Sequence, residues 1–282
     1  MEKQQAPGFT TGVASIVGAR KTQQDSYHLF CQDSTHTLIQ QSPASQGSDS
    51  DSYTGSYSEV IIALTDGVGG EAAGDVAASL AACHFTEYVA QHQQNPELAK
   101  HDSKTLLSNA MTVANQAISD SVKKNKRYKG MATTLVGAIL NDASLKWISV
   151  GDSHLYIIRD KQISKLNADH SMGALIDYDY MQGKISKEEA INAPHRNVIL
   201  SCLGGKKIEL VDLYDEAWVL HSDDRLIFAS DGLDSLSRNE IVGVSERHKE
   251  ADQTAQALVN AVVEKKRPYQ DNATVVVIDY KT

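Results

Sequence analysis

Cysteine is scarce in this chain: Cys31, Cys83 and Cys202 are far apart, and no two form a CxxC pair. An odd, sparse set argues against a disulfide framework and suits a reducing compartment, so the three are read as small core residues. Long apolar runs are also missing, and no stretch reaches the length needed to span a bilayer. The opening residues Met1 to Gln5 lack the apolar segment of a signal peptide. Together these absences predict a cytoplasmic protein with no membrane contact. Positive charge is in deficit, with 27 Lys and Arg against 36 Asp and Glu, a net charge of −9. That balance disfavours nucleic acid and acidic membranes as partners. No Gly-Lys-Ser/Thr phosphate loop is present, which disfavours a nucleotide-binding protein.

What is present is a globular composition, 41% hydrophobic and 22% charged over 282 residues, ample for a substantial core. A strand is expected over residues 8–18 and another at Leu29 to Cys31. Residues 40–58 are rich in Ser, Gln, Gly and Asp and predict an exposed loop elaborating a hairpin connection. Helices are predicted from Glu71 to Gln94, with Val76, Leu80 and Cys83 on one face, and from Ser103 to Lys124. The second carries a stripe of Leu107, Ala110, Ala114, Ala117, Ile118 and Ser121. Strand-like runs at 133–140, 145–150, 155–159 and 163–166, separated by turn residues, suggest an antiparallel meander. Helix-forming pieces follow at Met172 to Met181 and Lys187 to Ile191. Strands return near 198–200, 209–213 and 225–229, then helices at 239–248 and 251–265, then a β-branched strand at 273–278. The order suggests mixed α and β layers in one domain, without internal repeats.

One stretch organises the chemistry. The apolar run Val60 to Leu64 leads to Thr65-Asp66-Gly67-Val68-Gly69-Gly70. A carboxylate beside an exposed glycine carbonyl suits a hard divalent cation, which takes oxygen ligands, and glycine lets other groups approach the main chain. Three more aspartates share the context of a strand border: Asp152 after Trp147 to Val150, Asp231 after Leu226 to Ala229, and Asp271 before the last strand. Any one of them alone reads as a turn or cap. The four together favour carboxylates converging on a metal at one edge of a sheet.

The ordered series Arg20 with Gln24-Asp25, Asp66-Gly67-Val68-Gly69-Gly70, Gly130-Met131-Ala132-Thr133-Thr134, Gly151-Asp152-Ser153, Asp169-His170-Ser171, Ser230-Asp231-Gly232 and Asp271-Asn272-Ala273-Thr274 resembles the metal-dependent serine/threonine protein phosphatases of the PPM family (protein phosphatase type 2C), in particular their compact bacterial members. Each motif is weak singly; their order across nearly the whole chain is specific. The resemblance implies an α+β fold, a four-layer αββα sandwich of two antiparallel sheets flanked by pairs of helices. Residues 1–282 would form a single phosphatase catalytic domain, with residues 169–197 as a flap beside the active site. Asp66 would bridge two Mn²⁺ or Mg²⁺ ions and the Gly67 carbonyl would bind the second. Asp231 and Asp271 would hold the first ion, Asp25 the second through water, and Asp152 a third, weaker one. Arg20 would grip the phosphate. The implied activity is hydrolysis of phosphoserine and phosphothreonine on proteins by a hydroxide bridging the two cations, opposing a Ser/Thr kinase, in a monomeric signal-transduction enzyme.

Elementary chemistry agrees with this ligand set. Two cations roughly 3.5–4 Å apart neutralise a phosphomonoester and supply hydroxide near neutral pH. An arginine fork matches two phosphate oxygens better than a lysine does. The chain departs from the family at Val68, where many eukaryotic relatives have histidine, at Gln23 for asparagine, and at His154 for arginine. His154 is either a side chain behind the ligands of the site or a strand residue facing solvent, and the second is expected. A pseudophosphatase, a binding or regulatory module without turnover, is the rival reading; retention of Asp66, Asp231 and Asp271 speaks against it. A phosphohydrolase with an aspartyl nucleophile usually shows Asp-x-Asp, which Asp66-Gly67-Val68 lacks.

Overall fold

Two antiparallel sheets build the protein, each covered on its outer face by a pair of helices. The computed structural model describes residues 7–34, 36–42, 56–68, 73–95 and 102–282. Among these, strands β1 (Gly8–Ile16), β2 (Asp25–Gln32), β3 (Thr37–Gln41) and β4 (Glu59–Val68) are followed by helices α1 (Gly74–Gln94) and α2 (Ser103–Lys124). Strands β5 (Ala132–Thr133), β6 (Leu135–Asn141), β7 (Ser144–Val150), β8 (His154–Arg159) and β9 (Gln162–Lys165) come next. After helices α3 (Met172–Met181) and α4 (Lys187–Asn192) come β10 (Asp212–Val219), β11 (Arg225–Ala229), α5 (Arg238–Arg247), α6 (Ala251–Glu264) and β12 (Ala273–Lys281). One sheet runs β10-β7-β6-β4-β2-β3, with β5 paired to the end of β4; the other runs β1-β12-β11-β8-β9.

The continuous apolar runs follow from burial on both faces of each sheet, which removes the polar alternation of a half-solvated strand. In β4, Val60, Ile62 and Leu64 point into the core between the sheets, where they meet Phe228, Val276 and Ile278 of the opposite sheet. Ile61 and Ala63 point the other way, onto α1 and α2. In β12, Val275 and Val277 likewise face Leu258, Val259 and Val262 of α6. This is the four-layer arrangement that the resemblance implies.

Several local expectations are corrected. The buried face of α1 is Ala77, Ala78, Ala81, Ala82, Phe85 and Val89, while Val76 and Leu80 are half-buried at its flanks. Small side chains let the helix sit close on the sheet, so the larger residues mark its margin. The meander is broken between β7 and β8: β7 pairs with β6 in one sheet, β8 with β9 and β11 in the other. Strand periodicity reports which face is apolar and is silent on partners, so consecutive strands looked adjacent. Residues 198–200 form no strand, only a bridge from Ile199 to Ser171. Of the loop at 40–58, residues 43–55 lie outside the described residues. Gln40 and Gln41 belong to β3, and Tyr57 is a core residue, 1% exposed and bridged to Phe9. Strands β2 and β4 are antiparallel neighbours, so the hairpin holds, with β3 added on the far side of β2. Only Cys31 of the cysteines is buried; Cys83 and Cys202 are half-buried and all three are free. Among the described residues no helix is long and apolar enough to cross a membrane.

Candidate active site

The first carboxylate pair comes from strand register. Asp25 opens β2 directly opposite Asp66 of β4, and the ladder brings their backbones side by side. Asp66 lies inside β4, which continues to Val68, so the strand does not end on it as the apolar run suggested. Its main chain is held by the Thr133-Thr134 motif. Thr134 N and Thr133 Oγ1 each donate to the Asp66 carbonyl at 2.9 Å, and Asp66 N donates to Thr134 Oγ1 at 2.9 Å. Thr134 Oγ1 in turn meets Ser153 Oγ at 2.8 Å, tying β4 to the crossing between sheets. Gly67 passes so close to the start of α1 that a methyl group there would stand 2.3 Å from the Gly74 carbonyl, so a side chain would force the strand off the helix. Gly69 and Gly70 lie outside the described residues.

The other carboxylates arrive from the second sheet and the crossing. Asp231 follows β11, Asp271 precedes β12, and Asp152 sits where the chain leaves β7 for β8. Burial holds the Asp66 carboxyl well above its ordinary range, and the charges of Asp25, Asp231, Asp152 and Asp271 raise it further. The four strand-border aspartates of the sequence pattern, and Asp25 from the family resemblance, thus come within electrostatic reach at one end of the sandwich. Burial also pushes Asp231 up to about 7, helped by Asp152, Asp271 and Asp25. Asp25 is pushed up to about 6 by burial, partly offset by hydrogen bonds from Ser230 and Thr274. Ser230 Oγ donates to Asp25 Oδ2 at 2.7 Å. Asp152 is raised by burial and then by Asp169, a residue whose proximity the sequence pattern did not single out.

These shifts have a sign that can be measured. A carboxyl raised in the folded state binds protons that the unfolded chain, titrating near 4, has already lost. Stability therefore falls as pH rises through the interval that ends at the folded values of about 6 and about 7. In EDTA the melting temperature should drop from pH 5 to pH 7.5. Excess Mn²⁺, which favours the charged carboxylates, should flatten or reverse that slope. A melting temperature in EDTA that rises with pH would show the carboxylates to be apart.

Four buried carboxylate oxygens, Asp25 Oδ1, Asp152 Oδ1, Asp169 Oδ1 and Asp231 Oδ1, have no hydrogen-bond donor. An unsatisfied buried acceptor is costly, and convergent oxygen-only donors are what a hard cation takes. The residues present thus fit Mn²⁺ or Mg²⁺ in their chemistry. Among the described residues, no three His, Cys, Asp or Glu side chains are arranged to hold a metal ion. A positive charge beside these carboxylates is that of Arg20. Its guanidinium, 56% exposed, forms an ion pair with Asp271 Oδ2, which raises its pKa further.

His154 faces inward, contrary to expectation: it is 4% exposed, tilted against Tyr156, with Nε2 3.0 Å from Asp234 Oδ1. That approach misses hydrogen-bond geometry. The position lies in β8, a strand buried on both faces, so neither side of it meets solvent. Residues 169–197 form a helical hairpin of α3 and α4, braced by a bidentate pair from Arg196 Nη2 to both oxygens of Asp177 at 2.8 Å. His170 N donates to the Gly151 carbonyl at 3.0 Å and Gly151 N to His170 Nδ1 at 3.2 Å, so this segment also steadies the turn before Asp152. Thr133, Thr134, Ser230 and His170 hold the carboxylates in place. All four lie in the quoted motifs, but their tasks show only when the partners are in view.

Comparison with known proteins places this geometry. The family model described as protein phosphatase 2C matches residues 22–262. The serine/threonine protein phosphatase PstP of Mycobacterium tuberculosis is 30% identical over 220 residues, 78% of this chain. The match spans 40% of that relative's length. The serine/threonine phosphatase stp of Listeria monocytogenes is 28% identical over 221 residues, covering 78% of this chain and 84% of the relative. Among solved structures, PstP/Ppp of M. tuberculosis superposes with a TM-score of 0.72 at 25% identity, covering 97% of this chain and 99% of the other. The Stp1 phosphatase of Staphylococcus aureus shares the fold with a TM-score of 0.75 at 22% identity over the whole chain and 99% of the other. The PstP catalytic domain described in complex with two manganese ions shares it at 0.71 and 24%, covering 98% and 100%. With its motifs in order, its two sheets stacked between helices and its aspartates gathered at one end, this chain belongs to the protein phosphatase 2C family.

Proposed function

We propose that the protein hydrolyses phosphoserine and phosphothreonine on proteins with two Mn²⁺ or Mg²⁺ ions, and that it reverses a serine/threonine kinase of the same cell. The observation that carries this reading is the convergence of Asp25, Asp66, Asp152, Asp231 and Asp271, with buried oxygens that lack donors. Asp66, the Gly67 carbonyl, Asp25, Asp231 and Asp271 would hold the two cations between them. Asp152, beside Asp169, would serve a third and weaker site. When bound, the paired cations neutralise the phosphate dianion and lower the pKa of a water between them, so hydroxide is available near neutral pH. Arg20, exposed at the rim, would take the two remaining phosphate oxygens with its fork. Ser230 keeps Asp25 oriented through Oδ2 and leaves Oδ1 free for a ligand.

The bacterial relatives are named serine/threonine phosphatases, and one related structure is described with two manganese ions; both accord with this reading. The direct test is phosphate release from a phosphothreonine peptide by the purified protein. Release in Mn²⁺ that stops on addition of EDTA is the expected result. No release in Mn²⁺ or Mg²⁺ from phosphothreonine or phosphoserine peptides would overturn it in favour of a binding module.

A further inference from the structure

We infer that Asn272 is the positioning residue that sets the Arg20 loop against the carboxylates, a task that rests on the reading of Arg20 as the phosphate-binding group. Asn272 is 3% exposed. Its amide reaches across the chain to the connection between β1 and β2, the stretch that carries Arg20 and delivers Asp25. Nδ2 donates to the Val17 carbonyl at 2.7 Å and to the Thr22 carbonyl at 3.1 Å, while Oδ1 accepts from Gln24 N at 2.8 Å. One side chain therefore grips both ends of the loop, and both its N–H groups are used.

The neighbouring contacts make that grip a matter of register with the site. Asn272 N donates to Asp271 Oδ1 at 2.8 Å, and Arg20 pairs with the other oxygen of the same carboxylate. Ala19 N donates to the Gln270 carbonyl at 2.7 Å. Gly18, at φ +64°, lies so close that a methyl group would stand 2.3 Å from the Asp271 carbonyl. Beyond the loop, the Gln24 carbonyl accepts from Gly67 N at 3.1 Å, so the clamp continues to Asp66-Gly67. Asn272 thus ties both ends of the loop that carries Arg20 to the segment that carries Asp271. An aspartate here would keep the acceptor for Gln24 N and turn the amide donors into acceptors facing two carbonyls. Alanine removes all three bonds.

Misplacement of a binding group by about 1 Å costs on the order of a hundredfold. Asn272→Ala should therefore lower kcat/KM for a phosphothreonine peptide by roughly 10- to 100-fold, mostly through KM and with a matching rise in the inhibition constant of inorganic phosphate. In an Arg20→Ala background the same change should cost less than about threefold, because residues that act as a unit are not additive. A structural role alone would give equal costs in both backgrounds, and that outcome overturns the inference. A second readout is independent of turnover: with three hydrogen bonds removed, trypsin should cut after Arg20 or Lys21 at least about tenfold faster than in the wild type. Unchanged cleavage also overturns it. Asn272→Asp, which keeps the size of the side chain, is read in the same assays if the alanine variant lacks a cooperative melt. A wild type inactive with Mn²⁺ would strike at the phosphatase reading instead, and the trypsin result would still decide the clamp.

Discussion

Asp231→Asn should reduce Mn²⁺-dependent hydrolysis of a phosphothreonine peptide by roughly a thousandfold or more. Cation catalysis supplies several kcal/mol of charge stabilisation, and each 1.36 kcal/mol is tenfold in rate. Asparagine keeps the size of the side chain and one acceptor oxygen but removes the charge. Asp231 is the carboxyl pushed up to about 7 by burial and then by Asp152, Asp271 and Asp25. In EDTA, therefore, loss of its charge relieves repulsion, and the variant should melt no lower than the wild type. Activity and stability should move apart. The informative measurement is a pair: steady-state kinetics against Mn²⁺ concentration, and calorimetric titration of Mn²⁺ into the apoprotein. A variant that binds Mn²⁺ and turns over like the wild type would remove Asp231 from the site.

The largest expected effect on folding lies elsewhere, at the buried pair of Arg225 and Asp279. These residues face each other across β11 and β12. Arg225 Nε and Nη2 fork onto the two carboxylate oxygens at 2.6 and 2.8 Å. The remaining N–H groups donate to the carbonyls of Ser245, His248 and Lys249 at 2.8, 2.9 and 3.1 Å. The guanidinium thus sews the junction of α5 and α6 onto the sheet. Removing one partner leaves the other charge buried and unpaired, which costs about 3–5 kcal/mol. Asp279→Ala should shift the urea midpoint by that amount divided by the slope, with the slope unchanged. The double variant Arg225→Met, Asp279→Leu should recover part of the loss, since a well-packed apolar pair avoids the desolvation penalty. A stability loss below about 1 kcal/mol for Asp279→Ala would show the pair to be solvated. The pair sits at the opposite ends of β11 and β12 from Asp231 and Asp271, and a defect confined to stability would separate scaffold from site.

Much of the framework was legible in the chain itself. The unbroken runs at Val60 to Leu64 and Val275 to Ile278 announced strands buried on both sides, and the stripe of Leu107, Ala110, Ala114 and Ile118 announced the buried face of α2. Helices α3 and α6 start where the pattern put them, at Met172 and Ala251, and β11 has the expected bounds. These are properties of spacing, and spacing is carried by neighbours in the sequence. The order of the aspartate motifs could likewise be read in one dimension, which is why the family was recognisable.

Partnership could not be read that way. That β7 and β8 part to opposite sheets, and so place Asp152 at the crossing, depends on which strands each one meets. Tyr57 was assigned to a polar loop by its neighbours and His154 to a solvent-facing strand position; packing buried both. Asn272 bonds to Val17, 255 positions away, a contact that no window of sequence contains. Local pattern thus determined which faces are apolar, where elements begin, and which acidic residues stand at strand borders. Only the tertiary structure decided which carboxylates share a space and what holds them there, because strand register and side-chain reach are set by contacts between segments far apart in the chain.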